Sequence, residues 1–169
     1  KARVLQEVGV AIGTEIYSAI LSSFSSYYNS IGDQENAVKF QEMSESIVAD
    51  HLGINQLYRV VFDDPLPWFA STSKNSSVAD AWRIASLFQH ASTEMYSGDM
   101  LIYQKAFAMD KYGEVVKQFS LIPGEEQNLA AAHFNKGVMA LAVNDADASQ
   151  SLAKALPFYA GQFNADKKE

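Results

Sequence analysis

Histidine and acidic residues are the side chains in this sequence that could hold a metal ion. The histidines are His51, His90 and His133. A di-metal helical bundle uses Glu-x-x-His pairs together with carboxylates from other helices, and no glutamate stands three residues before any of these histidines. His90 and Glu94 are four residues apart and would share a helix face, but two donors do not complete a metal site. We therefore expect no metal and no other cofactor.

Motifs for nucleophilic catalysis or nucleotide binding are missing from the sequence. It contains no cysteine, no G-x-S-x-G, no phosphate-binding loop of the P-loop type and no G-x-G-x-x-G. We therefore expect a protein that is not an enzyme. The alternative is a compact helical bundle that binds a small ligand or a metal, or catalyses a reaction. It would be favoured by an internal cavity lined by Tyr17, Tyr27, Trp82 and His90.

Composition indicates one globular domain with an acidic surface. The chain has 169 residues, of which 48% are hydrophobic, and a formal net charge of −7. We expect a single helical domain over residues 1–160 and a frayed tail over 161–169. The 13 lysines and arginines form no run, which argues against nucleic acid as a partner. No apolar run approaches the roughly 18 residues of a membrane span, so we expect a soluble protein of the cytoplasm or periplasm.

The first third of the sequence has the periodicity of helices. Apolar residues recur at spacings of three and four over residues 4–28. Gly32 suits the left-handed position after a helix, and Asp33 can cap the next helix. The pattern predicts that second helix over residues 34–50, and a shorter helix over residues 51–62.

A proline-rich segment, "DDPLPWFASTSKNSS", predicts an irregular loop over residues 63–77. Trp68 and Phe69 in this loop have two possible roles. They could form a contact with another protein, because tryptophan is enriched at binding hot spots. Alternatively, both rings fold back and fill the irregular middle of the domain, which we favour because exposing both would lower solubility.

The second half of the sequence also predicts helices. Helix resumes near Val78, and residues 97–99 mark a break. Residues 100–122 are expected to form a short helical hairpin that ends at Pro123, and a final helix pair is expected to end at Pro157. Strand signals are weak throughout, so the prediction is an all-α protein of seven or eight helices.

Three polar turns share a pattern, namely "IGDQENAV", "MDKYGEVV" and "VNDADAS". In each, a small or β-branched residue follows the turn. Around the first turn, small, aromatic and turn residues stand at Ser25, Tyr28, Gly32, Asp33 and Ala37. Corresponding residues around the second turn are Tyr112, Val115, Phe119 and Pro123. Around the third turn they are Gly137, Asn144, Asp145, Ala148, Ala155 and Leu156.

With these spacings the chain resembles the tetratricopeptide repeat family, whose repeat of about 34 residues is a pair of packed helices. The third match needs a turn one residue shorter than usual, and residues 50–96 fit the pattern poorly. The resemblance implies stacked antiparallel helix hairpins, because one hairpin cannot bury its apolar face alone.

The resemblance also implies a function, since such stacks bind peptides or protein segments on a groove lined by the first helices. It implies an adaptor or chaperone-like scaffold for a protein or peptide partner, in an oligomeric state that the sequence leaves open. Residues mapped to the groove are Ala19, Ser22, Ser26, Asn29, Met100, Gln104, Phe107, Phe134, Val138 and Leu141. The alternative is that these side chains form the internal core of a compact bundle. A structural subunit with Trp68 and Phe69 at a contact is a third possibility.

Overall fold

The described part of the chain is built from helices. The computed structural model describes residues 2–47, 65–69, 76–90 and 95–167, and these ranges contain no strand. Their six helices are α1 (Ala2–Ser30), α2 (Gln34–Ile47), α3 (Ser76–Gln89), α4 (Asp99–Phe119), α5 (Glu126–Ala142) and α6 (Ala148–Lys167). The all-α prediction is confirmed. The helix expected over residues 51–62 lies outside the described residues, so a total of seven or eight helices stays a prediction.

The chain divides into two compact units. Unit 1 comprises Lys1–Val60 and Leu156–Glu169, and unit 2 comprises Val61–Ala155. Helix α6 contributes its first part to unit 2 and its remainder to unit 1. The single domain expected over residues 1–160 stays a prediction. None of the described helices is both long enough and apolar enough to cross a membrane.

The turn between α1 and α2, in unit 1, has the construction that its sequence predicts. Gly32 has a φ of 81°, which a residue without Cβ adopts at little cost. The N–H of Asp33 donates to the carbonyl of Tyr28 at 2.9 Å, and that of Gly32 donates to the carbonyl of Asn29 at 3.2 Å. The Asp33 carboxylate then accepts the N–H of Asn36 at 3.1 Å and so caps α2. Its hydrogen bonds from Asn36 lower the pKa of Asp33.

Small polar residues let α1 and α2 approach closely. The hydroxyl oxygens of Ser18 and Ser44 lie 2.8 Å apart, and that of Ser44 also donates to the carbonyl of Ser18 at 2.9 Å. Two turns further along α1, the Ser25 hydroxyl donates to the carbonyl of Ala37 at 2.7 Å. Apolar residues of α1 that are buried are Ile16, Ile20, Leu21 and Phe24. Ser25 and Ala37, the two small residues around the first turn, are thus in contact.

Helix α6 continues beyond the point where the sequence predicts its end. Pro157 lies inside the helix, which extends to Lys167, so the predicted stop at Pro157 is wrong. The frayed tail expected over residues 161–169 stays a prediction, although α6 extends to Lys167. Proline removes one hydrogen bond from a helix, and packing compensates here. Tyr159 is buried, and the ring of Phe163 stacks on Tyr17 of α1 with centroids 5.1 Å apart.

In unit 2, helix α4 is continuous and packs against both α3 and α5. The hairpin predicted within residues 100–122 is therefore wrong. Its proposed turn at Gly113 lies inside the helix, where glycine costs only about 1 kcal/mol relative to alanine. A buried face at spacings of four, three and four residues runs past it, formed by Ala108, Tyr112, Val115 and Phe119. This continuous apolar face stabilises one long helix over two short ones.

Polar contacts fix the α3–α4 pair. The Tyr112 hydroxyl donates to the side-chain oxygen of Gln89 at 2.7 Å, and burial raises the pKa of Tyr112. The buried Lys105 ammonium donates to the main-chain carbonyl of Gln89, the last residue of α3. A lysine is favourable at this end of a helix because the last carbonyls lack partners and carry partial negative charge.

The α5–α6 turn repeats the hydrogen bonds of the α1–α2 turn. Asn144 has a φ of 55°. The N–H of Asp145 donates to the carbonyl of Ala140 at 2.8 Å, and that of Asn144 donates to the carbonyl of Leu141 at 3.2 Å. The predicted turn at this position is confirmed. The two helices approach closely at Gly137, where an added Cβ would lie 2.9 Å from side-chain atoms of Leu152.

Candidate functional site

A short segment of unit 2, residues 65–69, is held against α5 by side-chain amides. The N–H of Leu66 donates to Oδ1 of Asn135 at 2.8 Å. In return, Nδ2 of Asn135 donates to the carbonyl oxygen of Leu66 at 3.1 Å. Asn135 is fully buried. One amide therefore satisfies both main-chain groups of one residue, as a neighbouring strand would do in a sheet.

A second asparagine of α5 repeats this arrangement. The N–H of Phe69 donates to Oδ1 of Asn128 at 3.0 Å, and Nδ2 of Asn128 lies 3.4 Å from the carbonyl oxygen of Phe69. The same Nδ2 donates to Oε2 of Glu125 at 2.8 Å, which fixes the orientation of the amide. We call Asn128 and Asn135 the asparagine clamp.

The spacing of the clamp matches the rise of an extended chain. Asn128 and Asn135 are seven residues apart, so they share a helix face at an axial separation of about 10.5 Å. The residues that they bind, Leu66 and Phe69, are three apart, and three extended residues span roughly 9–10 Å. Because Leu66 pairs with the later asparagine, the segment runs antiparallel to α5. The helix turn between the asparagines carries the buried alanines Ala131 and Ala132, whose small side chains permit close approach.

The side chains of the segment also pack within unit 2. Leu66 is buried. The ring of Trp68 lies 5.1 Å from that of Phe119 and 5.6 Å from that of Trp82, between centroids. Trp68 thus folds back onto the core, as expected, whereas a partner contact for Trp68 and Phe69 stays a prediction.

An open pocket of about 450 Å³ lies beside the segment. Apolar and aromatic side chains dominate its lining, which includes Pro65, Pro67, Trp68, Trp82 and His90. Of the four residues that would favour a ligand-binding bundle, Trp82 and His90 share this pocket. Tyr17 lines a different pocket, in unit 1. Within the described ranges, no three His, Asp or Glu side chains group closely enough to hold a metal ion.

Helix α4 presents large apolar side chains to solvent. Met100, Tyr103 and Phe107 have spacings of three and four residues, and they are 54%, 71% and 41% exposed. We call these three residues the α4 stripe. The ring of Phe107 contacts that of Phe88 on α3, with centroids 4.4 Å apart. The Lys111 ammonium lies 5.5 Å from the centroid of Phe107, so a cation stands at one end of the stripe.

The structure divides the predicted groove residues between exposed and buried positions. In unit 2, Met100 and Phe107 are exposed and Gln104 and Leu141 are half-buried. Phe134 and Val138 are only 2% and 4% exposed, as the alternative of an internal core expects. Their assignment to a partner-binding groove stays a prediction. Among the predicted groove residues of unit 1, Ala19 and Ser22 are half-buried, and Ser26 and Asn29 are exposed.

The buried histidine of unit 2, His133, is harder to protonate than a histidine in water. Burial, with smaller contributions from the positive charges of Lys154 and Lys136, lowers the pKa of His133 to about 4. The imidazole is therefore neutral at pH 7.

Sequence reasoning missed the clamp and Tyr103. The available signal for the clamp was the pair of asparagines seven residues apart in an alanine-rich helix. Asparagine is a poor helix former, and a buried amide requires partners. Tyr103 follows Met100 by three residues and precedes Phe107 by four, so helical spacing alone would have added it.

Comparison with known proteins finds no relative of this chain. No protein-family model, curated protein sequence or solved structure matches this chain. The tetratricopeptide resemblance remains a hypothesis that rests on the residues themselves. Function must therefore be inferred from the contacts, burial and charges of the described residues.

Proposed function

We propose that this chain is a non-enzymatic protein-binding adaptor or chaperone-like scaffold, and that a partner docks on the α4 stripe. The observation that carries the proposal is the exposure of three large apolar side chains, Met100, Tyr103 and Phe107, along one side of α4. Single exposed apolar residues are ordinary on protein surfaces, whereas contiguous ones mark interaction sites. Contact of Phe107 with Phe88 extends the surface onto α3.

The dimensions of the stripe suit an amphipathic helix. Met100 and Phe107 are seven residues apart, or about 10.5 Å along the axis, which equals two helical turns. A partner helix with apolar residues at positions i, i+3 or i+4, and i+7 would match this length. Lys111 at the end of the stripe is paired with Glu114 at 3.3 Å on the surface. Such exposed pairs are weak, so an acidic residue of the partner can replace Glu114.

Tetratricopeptide-like stacking is part of this proposal. The pairs α1–α2, α3–α4 and α5–α6 would be the stacked hairpins, with α3–α4 replacing the hairpin expected inside α4. In this register α4 is a second helix, so the α4 stripe would lie outside the groove that the first helices line. One regularity supports this register. Each second helix buries an alanine and, seven residues later, another residue: Ala37 and Ser44, Ala108 and Val115, Ala148 and Ala155.

The test compares a stripe variant with a variant of another side of the same helix. Met100→Ser with Tyr103→Ser removes most of the stripe. Ile102→Ser is the matched control, because Ile102 is 51% exposed but lies about 200° around α4 from Met100. The measurement is the affinity of the full chain for a labelled model helix with apolar residues at i, i+3 and i+7 and acidic residues elsewhere.

We expect the double variant to bind the model helix at least tenfold more weakly, since each buried large side chain contributes about 1.5–3 kcal/mol. Ile102→Ser should retain the affinity of the unmodified chain. Both should keep its melting temperature, because the changed side chains are exposed. Equal affinity of the stripe variant and the control, or no binding by the unmodified chain, would contradict the proposal.

A further inference from the structure

We propose that the asparagine clamp is a binding site for an extended, proline-containing segment of a partner protein. Residues 65–69 of the chain occupy the clamp as an internal ligand, and the partner segment displaces them. This site is separate from the α4 stripe, and the proposal does not depend on it. Its basis is the set of paired hydrogen bonds that Asn128 and Asn135 make with Leu66 and Phe69.

The clamp binds main-chain groups of its ligand. Each asparagine contacts one N–H and one C=O group, and both groups are present in every residue except proline. The contacts therefore specify an extended conformation with bound residues three positions apart, and they do not specify side chains. Any segment with this backbone geometry can make the same four hydrogen bonds.

The internal ligand shows which side chains the site accepts. The first clamped position holds a buried leucine, Leu66. The position two residues later holds an aromatic ring, because Trp68 lies against Trp82 and Phe119. Pro67 lies between them, where the clamp uses no N–H. Proline also favours the extended polyproline conformation and so reduces the entropy lost on binding. The partner segment is thus of the type Leu-Pro-aromatic-apolar.

Displacement follows from competition between a tethered and a free ligand. A tethered segment competes at an effective concentration on the order of millimolar. A free segment can bind only those molecules in which the clamp is open. Its apparent affinity is therefore its intrinsic affinity multiplied by this small open fraction. Weakening the internal ligand without touching the clamp must raise the affinity for a free segment.

The test uses the full chain with the substitution Leu66→Asp, which places a charge in the buried leucine position and leaves both asparagines intact. The probe is a fluorescein-labelled peptide with the sequence of residues 63–71, DDPLPWFAS. Fluorescence anisotropy should show binding at least tenfold tighter to L66D than to the unmodified chain. Adding Asn128→Ala and Asn135→Ala to L66D should abolish the binding.

Two methylated peptides test recognition of the main chain. N-methylation at Leu66 removes the N–H that Asn135 accepts and should abolish binding to L66D. N-methylation at Trp68 is the matched control, because the clamp does not use that N–H, and this peptide should still bind. Equal loss of binding for both peptides, or equal retention, would overturn the proposal.

Two controls are needed, one for folding of the L66D variant and one for self-association of the unmodified chain. If circular dichroism shows that L66D loses helix content, Leu66→Ala replaces it, with a smaller gain in affinity expected. Failure of a folded variant to bind the peptide more tightly than the unmodified chain overturns the proposal. A concentration-dependent dimer of the unmodified chain that N128A/N135A prevents would also overturn it, because the occupant would then be a second copy of this chain.

Discussion

Replacing Asn135 by alanine should destabilise unit 2 more than any comparable amide substitution in α5. The Asn135 side chain is fully buried, and its hydrogen bonds of 2.8 and 3.1 Å both join it to the main chain of Leu66. Alanine leaves the Leu66 N–H and C=O without these partners. A buried polar group that loses its partner costs about 1–3 kcal/mol. With two such groups and some entry of water, we expect a loss of about 2–4 kcal/mol in the free energy of unfolding.

Two further amide substitutions in α5 should lower the free energy of unfolding by smaller amounts. The bonds of Asn128 to Phe69 are partly buried and one is 3.4 Å long, so Asn128→Ala should cost about 1–2 kcal/mol. Gln127 is exposed on the same helix, and Gln127→Ala should change stability by no more than about 0.5 kcal/mol. The expected order of destabilisation is therefore Asn135, then Asn128, then Gln127.

Urea denaturation followed by tryptophan fluorescence is the appropriate assay. The chain has two tryptophans, Trp68 and Trp82, and both belong to unit 2, so the signal reports the unit that contains the clamp. Far-UV circular dichroism in parallel reports all helices and shows whether the two units unfold together. A loss below about 0.5 kcal/mol for Asn135→Ala, equal to that for Gln127→Ala, would refute the reasoning that the clamp holds the segment.

Three other substitutions test packing and protonation in unit 2. Gly137→Ala should destabilise unit 2 by about 1–3 kcal/mol through overpacking, because its Cβ would lie 2.9 Å from side-chain atoms of Leu152 and 3.3 Å from the Leu152 nitrogen. The Cβ of Gly113→Ala would lie 3.8 Å from the flexible end of Lys136, so this substitution should stabilise unit 2 by roughly 0.5–1 kcal/mol. Urea midpoints that shift in the same direction for the two glycine variants would contradict this pair of predictions. Burial first and nearby lysines second lower the pKa of folded His133 to about 4 in total, so the unfolded chain takes up the proton first as the pH falls. Its neutral form contributes full stability above pH 6.5, and this contribution is lost as the pH falls from 6.5 towards 4. In urea titrations at pH 7 and pH 5, His133→Leu should therefore lose less stability on acidification than the unmodified chain, and equal losses would disprove this.

The turns show where local sequence rules succeed and where they fail. Gly32 and Asn144 were expected at turns, and both adopt positive φ with equivalent hydrogen bonds. Gly113 stands in a similar polar context, yet it lies inside α4. What differs is the apolar spacing from Ala108 to Phe119, which continues without a shift across Gly113. Contacts of α4 with two other helices then favour continuation, and a local turn pattern carries no information about those contacts.

Pro157 illustrates the same limit at the other end of the chain. The rule that proline ends a helix is based on one lost hydrogen bond and a local clash. Tyr159 and Phe163, which follow the proline, are placed by packing, and Phe163 contacts a residue of α1 that is far away in sequence. Helix α6 therefore continues because of long-range contacts that its own sequence does not reveal.

The candidate sites were predictable only in part. The tetratricopeptide resemblance mapped Met100 and Phe107 to a groove, and both are exposed. It mapped Phe134 and Val138 to the same groove, although both are buried, because a position on a helix face does not say what covers that face. The clamp joins residues 59 and 69 positions apart, and no spacing rule connects them.

The clamp also explains why α5 carries amides where apolar residues would form a better helix. Asparagine lowers helix propensity by several tenths of a kcal/mol relative to alanine, and a buried amide is unfavourable unless its hydrogen bonds are made. Residues 65–69 include two prolines and cannot join a helix interior or a central strand. An apolar face would leave the main-chain groups of Leu66 and Phe69 unsatisfied, whereas two amides seven residues apart satisfy them. The requirement to hold residues 65–69 against a helix thus accounts for both amides of α5, and the same two amides form the surface that we propose a partner segment occupies.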